Sequence, residues 1–162
     1  MKRLVCLILL FSILLSGCHV LQDRIKEPVT FYYVRQNYQE NMDEVIASEV
    51  REASGHRYDL PYLLALYSMG PSDKKLRTLL PRNVTILPVE HSEDGLVLSL
   101  LDEIHALPDA DFTLAGACLA MTCMELIDVE QVTVVCADRS ITLNRENLML
   151  SSMIPNVPEE SK

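Results

Sequence analysis

Apolar positions fall into two regimes along the chain. From Leu4 to Leu15 they are nearly continuous, preceded by Lys2 and Arg3; from Val29 onward they come in short runs separated by turn-forming residues. Charge followed by an apolar stretch is the layout of an export signal rather than of a folded element. Helix over these twelve residues would rise only about 18 Å against a hydrocarbon core of about 30 Å, so the segment is too short to cross a bilayer and stay.

The second regime predicts a sequence of elements. Val29-Thr30-Phe31-Tyr32-Tyr33-Val34 is dense in β-branched and aromatic residues, a strand signal. From Met42 to Ala53 the apolar residues at 42, 45, 46, 50 and 53 suit a helix, while Ile46, Ser48 and Val50 also suit one face of a half-exposed strand; periodicity alone favours the helix. Asp59 is a good N-cap with Pro61 in the first turn, and Leu60, Leu63, Leu64 and Tyr67 continue at helical spacing until Gly70-Pro71 stops the helix. Ser72-Asp73-Lys74-Lys75 begins a short excursion of helical character that Pro81 closes.

Val84 to Val89 and Leu96 to Leu100 read as a hairpin across Asp94-Gly95, because Gly95 can take positive φ. Pro88 cannot donate to a ladder and indicates an edge position or a bulge. Residues 102–111 are turn-rich. Leu114, Ala117, Cys118, Met121 and Met124 then recur at helical spacing, and Ala115, Gly116 and Ala120 allow a close approach to that helix's backbone. Gln131 to Cys136 is a strand with Val132, Val134 and Cys136 on one face, and Asp138 turns the chain. Ser151 to Lys162, with two Pro and no periodic pattern, is expected to be a disordered tail.

The end of the first apolar run sharpens the picture. Leu15, two small residues (Ser16 and Gly17) and then Cys18 resemble the lipobox of bacterial lipoproteins. The resemblance implies cleavage between Gly17 and Cys18, a diacylglyceryl thioether on Cys18, and a mature chain held to the outer face of the cytoplasmic membrane. Each buried methylene contributes about 0.8 kcal/mol, so two acyl chains anchor stably where one does not. The expected organisation is a signal peptide over 1–17, the lipidated Cys and a tether over 18–28, a folded domain over 29–150 and the tail over 151–162.

Charge and cysteine content narrow the functional classes. The chain has 14 Lys plus Arg and 23 Asp plus Glu, a net charge of −9; removing residues 1–17 takes out Lys2 and Arg3, leaving 12 against 23, or −11. Such a field repels phosphate backbones, so no nucleic-acid partner is expected, and it disfavours lying flat on an anionic leaflet. After Cys6 is cleaved away and Cys18 acylated, three cysteines remain, Cys118, Cys123 and Cys136. An odd number without repeated spacing is not a disulfide framework. Cys118 and Cys123, five apart on a helix, point about 140° away from each other. They read as small buried hydrophobes.

The order of parts also carries a likeness. A strand, a helix ending in Gly70-Pro71-Ser72-Asp73 and leading to Leu80-Pro81, a hairpin carrying Asp94-Gly95-Leu96-Val97-Leu98-Ser99-Leu100-Leu101, and a helix delivering Val132-Thr133-Val134-Val135 resemble the GerM domain of bacterial lipoproteins. The likeness runs from Val29 to about Leu143. It implies an α+β domain, similar to the ring-building modules of sporulation proteins, with two helices packed on one face of a mostly antiparallel sheet. It puts a strand within 42–53 and ends the domain at the Asp138-Arg139-Ser140 turn. It also implies a role by contact, with envelope proteins or by self-association, in sporulation or germination. Gly70, Pro71, Ser72, Asp73, Pro81 and Gly95 would be its structural motif residues. The three mature cysteines depart from the family's usual cysteine-poor middle.

Chemistry is not evident. His19, His56, His91 and His105 lack metal-ligand spacing. Glu90-His91 and Glu103-x-His105 are chance-level pairings, and there is neither a Gly-rich phosphate loop nor a Gly-x-Ser-x-Gly elbow. Asp102, Glu103, Asp109 and Asp111 lack the register and turn glycine of a calcium loop. No enzyme activity, cofactor or metal is expected. The alternative to a contact-mediated role is a lipid-anchored solute-binding or signalling-accessory module, which would need a concave pocket.

Overall fold

Pro28–Arg35 form β1, and its inward residues Val29, Phe31 and Tyr33 are buried. In the computed structural model residues 26–37, 44–81, 84–92, 95–101, 107–137 and 139–148 are described. After β1 come β2 (Ile46–Glu52), α1 (Leu60–Ser68), β3 (Leu76–Arg77), β4 (Thr85–Ser92), β5 (Gly95–Leu101), α2 (Asp109–Leu126), β6 (Gln131–Cys136) and β7 (Arg139–Asn144). The class is α+β with mostly antiparallel pairing, but the strands divide between two sheets rather than filling one. One has the order β2-β1-β3 and the other β4-β5-β6-β7, with β5 and β6 parallel across the crossover helix α2.

The strand within 42–53 prevails over the helical periodicity. β2 pairs with β1 from Ile46↔Val34 to Glu52↔Pro28, and this long-range ladder overrides a local spacing that a helix could also have used. The inward side differs from the expected one: Ala47, Glu49 and Arg51 are half-buried, whereas Ser48 and Val50 face out. The Ser72–Lys75 excursion is no helix either. It is a turn into the two-residue β3, which pairs with β1 through Val34↔Arg77 and Arg35↔Leu76. The domain does not end at Asp138-Arg139-Ser140. β7 follows as an antiparallel neighbour of β6, and Ile141 and Leu143 turn inward against the core.

α1 begins where Asp59 Oδ1 accepts the Tyr62 N–H at 3.1 Å and buries Leu63, Leu64 and Tyr67. Tyr67 stacks on Tyr33 with ring centroids 4.8 Å apart, and Phe31 meets Tyr67 edge-on at 5.8 Å. α2 lies against β1, β6 and β7, so it is covered on most sides. Gly116 is what lets it settle: a Cβ there would stand 2.8 Å from Ile141 Cγ2. A continuous core from Phe31 and Tyr67 through Leu98 and Leu119 to Val132 and Val134 joins both sheets and both helices. As expected, Pro88 sits on an edge strand and beside a bulge, between Pro88 and Glu90. The hairpin tip Glu93-Asp94 lies outside the described residues.

Candidate interaction surface

The motif residues form a brace rather than a reactive site. Gly70 adopts φ +84° at the end of α1, and its N–H donates to Tyr67 O at 2.9 Å. Arg51 Nη1 donates to Leu66 O at 3.3 Å and to Gly70 O at 3.1 Å, so β2 supplies a cation to the carbonyl end of α1. The same guanidinium lies 5.8 Å from the Phe31 ring centroid. Ser72 N–H reaches both carboxylate oxygens of Glu49 at 3.0 Å. Asp73 Oδ1 then accepts the Lys75 N–H at 2.9 Å and starts the turn into β3.

Gly70, Pro71, Ser72 and Asp73 are thus one turn docked on β2, and this accounts for two charged residues on β2's inward side. Pro81 and Gly95 stand elsewhere. Pro81 O accepts the Val84 N–H at 3.3 Å before β4, and Gly95 begins β5 with its α-carbon against β6. A Cβ at Gly95 would lie 2.6 Å from Gln131 O, so close approach, beyond positive φ, requires glycine here. Gly17 and Cys18 lie outside the described residues.

The cysteines are free and buried. Burial pushes the Cys118 and Cys123 thiols up to about 12, which leaves them protonated and unreactive at neutral pH. Burial likewise raises Tyr33 and Tyr67 above the ordinary phenol value, and their hydroxyls are spent on Tyr67 O and Tyr32 O at 3.1 and 3.2 Å. His56 stacks on Tyr62 with centroids 4.1 Å apart, and its Nδ1 lies 3.5 Å from Asp59. Glu90 and His91 are both exposed, on opposite sides of β4. Among the described residues no group of three or more His, Cys, Asp or Glu could hold a metal ion.

A groove of about 230 Å³ opens between β1, α2 and the turn after β7, lined by Tyr32, Met121, Met124, Glu125, Arg145 and Leu148. Burial and then Glu125 raise the Tyr32 phenol. Arg145 donates to Met124 O at 3.2 Å and stands 3.8 Å from both Asp128 and Glu130, so the groove's cation is already engaged.

A second surface is the outward face of the four-stranded sheet, the side away from both helices. The registers place Leu87, Val97, Leu101 and Val135 there among Ser, Thr and amide residues, and Thr133 and Thr142 share a hydroxyl hydrogen bond at 2.9 Å. Leu87 and Leu101, diagonal neighbours on β4 and β5, are exposed. Glu90 is the one charged residue paired across this face among the described residues. On a chain of net charge −9, a sheet face with a single carboxylate among the described residues is a departure from the rest of the surface, and sequence reading missed it because it exists only when four strands align in register.

No protein-family model matches the chain, and no curated protein matches its sequence. Among solved structures, the crystal structure of a candidate lipoprotein from Clostridium perfringens aligns with a TM-score of 0.43 and 13% identity, covering 74% of this chain and 88% of that one. A likeness at that level carries no argument about function.

Proposed function

We propose that the chain is an extracytoplasmic lipoprotein, anchored through Cys18, whose folded domain works by protein contact in the cell envelope. The observation that carries the contact reading is the outward face of β4-β5-β6-β7, which has Leu87 and Leu101 exposed on it and Glu90 as its one charged residue among the described residues. Exposed apolar residues grouped on one face with few charges mark interaction surfaces more often than isolated ones do. The anchor rests on the Leu15-Ser16-Gly17-Cys18 pattern behind a short apolar run. The finer reading, a GerM-like domain serving sporulation or germination, rests on the order of elements and on the Gly70–Asp73 turn, which here braces α1 to β2. It assigns the protein no reaction.

The test has two arms. Cys18→Ala should move the full-length protein from the detergent phase to the aqueous phase and abolish acyl labelling; a variant that still partitions into detergent overturns the anchor. Leu87→Glu with Leu101→Glu should leave the fold intact and remove crosslinked proteins other than copies of this chain from native membranes. An unchanged crosslinking pattern overturns this face as the contact surface. A second reading, a solute site in the Tyr32–Met121–Met124 groove, is favoured by that groove's concave shape and predicts that ligand protects Met121 and Met124 from oxidation.

A further inference from the structure

We propose that two copies of this chain pair through the open edge of β2, in an antiparallel register centred on Val50, to give one six-stranded sheet across a two-fold axis. The inference rests on the reading of the protein as a membrane-anchored contact module and names one partner for it, a second copy.

Exposed sheet edges are ordinarily blunted, because unpaired N–H and C=O groups template further pairing. Three edges here are. β4 carries Pro88 and a bulge, and β3 is only two residues long. The side of β1 away from β2 gives the Tyr32 N–H to Thr122 Oγ1 of α2 at 3.0 Å. β2 lacks these three: its seven residues, Ile-Ala-Ser-Glu-Val-Arg-Glu, contain no Pro or Gly and pair with β1 without a register shift, and its inward charges, Glu49 and Arg51, are opposite in sign, so they repel most partners but can match a second copy. Arg35 N donates to Val45 O and Ala53 N to Glu27 O, so the odd residues of β2 turn their main chain toward β1. The N–H and C=O groups of Ser48, Val50 and Glu52 therefore point away from it, and among the described residues no strand pairs with them.

Charge fixes the register. With Val50 opposite Val50 of the second copy, Glu49 of each faces Arg51 of the other, giving two opposite-charge cross-strand pairs, and the half-exposed Val50 side chains, each 50% accessible, cover one another. Glu49 and Arg51 keep capacity for this, since the Ser72 N–H and two carbonyls use only part of a carboxylate and a guanidinium. β7, the remaining regular edge, offers Arg139 and no carboxylate to set against it.

The anchors suit the same geometry. Pro28 pairs with Glu52, so the axis at Val50 brings the two Pro28 residues to within about 20 Å, from strand rise and spacing. The ten residues from Cys18 reach at most about 35 Å, so both tethers can enter one bilayer on the same side. A single strand pairing is smaller than the roughly 1,600 Å² of a standard stable interface. It is therefore weak in free solution and favoured when anchoring confines both copies to a surface, which raises their effective concentration.

The experiment uses full-length protein in native membranes. Val50→Cys, treated with a short bis-maleimide, should give dimer about tenfold more efficiently than Ser48→Cys, because the two residues 50 lie about 5.5 Å apart while the two residues 48 are offset by about 13 Å along the strands. Val50→Lys and Val50→Glu, each folded by circular dichroism, should each lose the dimer on native gels, and co-expression of the two should restore it. Equal crosslinking at positions 48 and 50, or a Val50→Lys protein that still dimerises, overturns the pairing. If those results come while an amine crosslinker still captures neighbours, the contact reading survives without β2; if no neighbour is captured at all, both fall.

Discussion

Thr122→Val isolates one long-range interaction. Thr122 is a fully buried polar residue of α2, and its Oγ1 accepts the Tyr32 N–H at 3.0 Å on the side of β1 that, among the described residues, no strand covers at that point. Valine keeps the shape and removes the acceptor. An amide left without its partner costs about 1–3 kcal/mol, and the methyl that replaces the hydroxyl returns up to about 0.8 kcal/mol of apolar burial. Because the bond is only partly buried, water offsets some of the loss, so the expected destabilisation is about 1–2 kcal/mol. For a domain of roughly 120 residues that lowers Tm by about 4–8 °C. Denaturant unfolding of the wild-type and Thr122→Val proteins measures the global term, and hydrogen exchange at the Tyr32 amide measures the local one. Thr122→Ser, which keeps the hydroxyl, should retain Tyr32 protection despite losing a methyl. Equal stability and unchanged Tyr32 protection in Thr122→Val would refute the assignment of this bond as the cover for β1's edge.

Two further outcomes follow from the same structure. Gly95→Ala should cost about 2–4 kcal/mol, since its Cβ meets the Gln131 carbonyl, while Gly70→Ala should cost only about 1–2 kcal/mol from positive φ, as a Cβ there meets nothing nearer than Thr78 Cγ2 at 3.6 Å; urea midpoints with unchanged slopes distinguish them. Cys118 and Cys123 have folded values raised from 9.0 to about 12 by burial, so the stability they contribute is complete below about pH 9 and is lost as pH rises toward about 12. The unfolding midpoint should therefore fall across that window, less steeply when both are replaced by Ala, and a flat profile in the wild-type protein would contradict it.

The elements that local chemistry specifies were legible. The aromatic and β-branched run at 29–34, the Asp59–Gly70 helix with its cap and stop, the Gly95 hairpin and the alternation of Val132, Val134 and Cys136 all form where their own neighbours in sequence favour them. β2 was ambiguous from spacing, which fits a helix and also one face of a strand, and the ladder with β1 decides for the strand. β7 was passed over although Ile141 and Leu143 alternate with Ser140 and Thr142, because a turn at Asp138 reads equally well as an ending. Of the candidate contact surfaces, neither the weakly charged sheet face nor the open β2 edge can be read from spacing, since each depends on which strands become neighbours.

By itself the sequence determined the charged start and short apolar run that end in Leu15-Ser16-Gly17-Cys18, the acidic balance, and the elements with local caps, turns or alternation, because these depend on residues within a few positions of one another. The tertiary structure alone decided that the strands split into two sheets, that Glu49 and Arg51 turn inward to hold the Gly70–Ser72 turn, and that among the described residues no strand pairs with the outer edge of β2. Those outcomes are set by pairings between segments far apart in the chain, whose free energy is realised only once the core has brought them together.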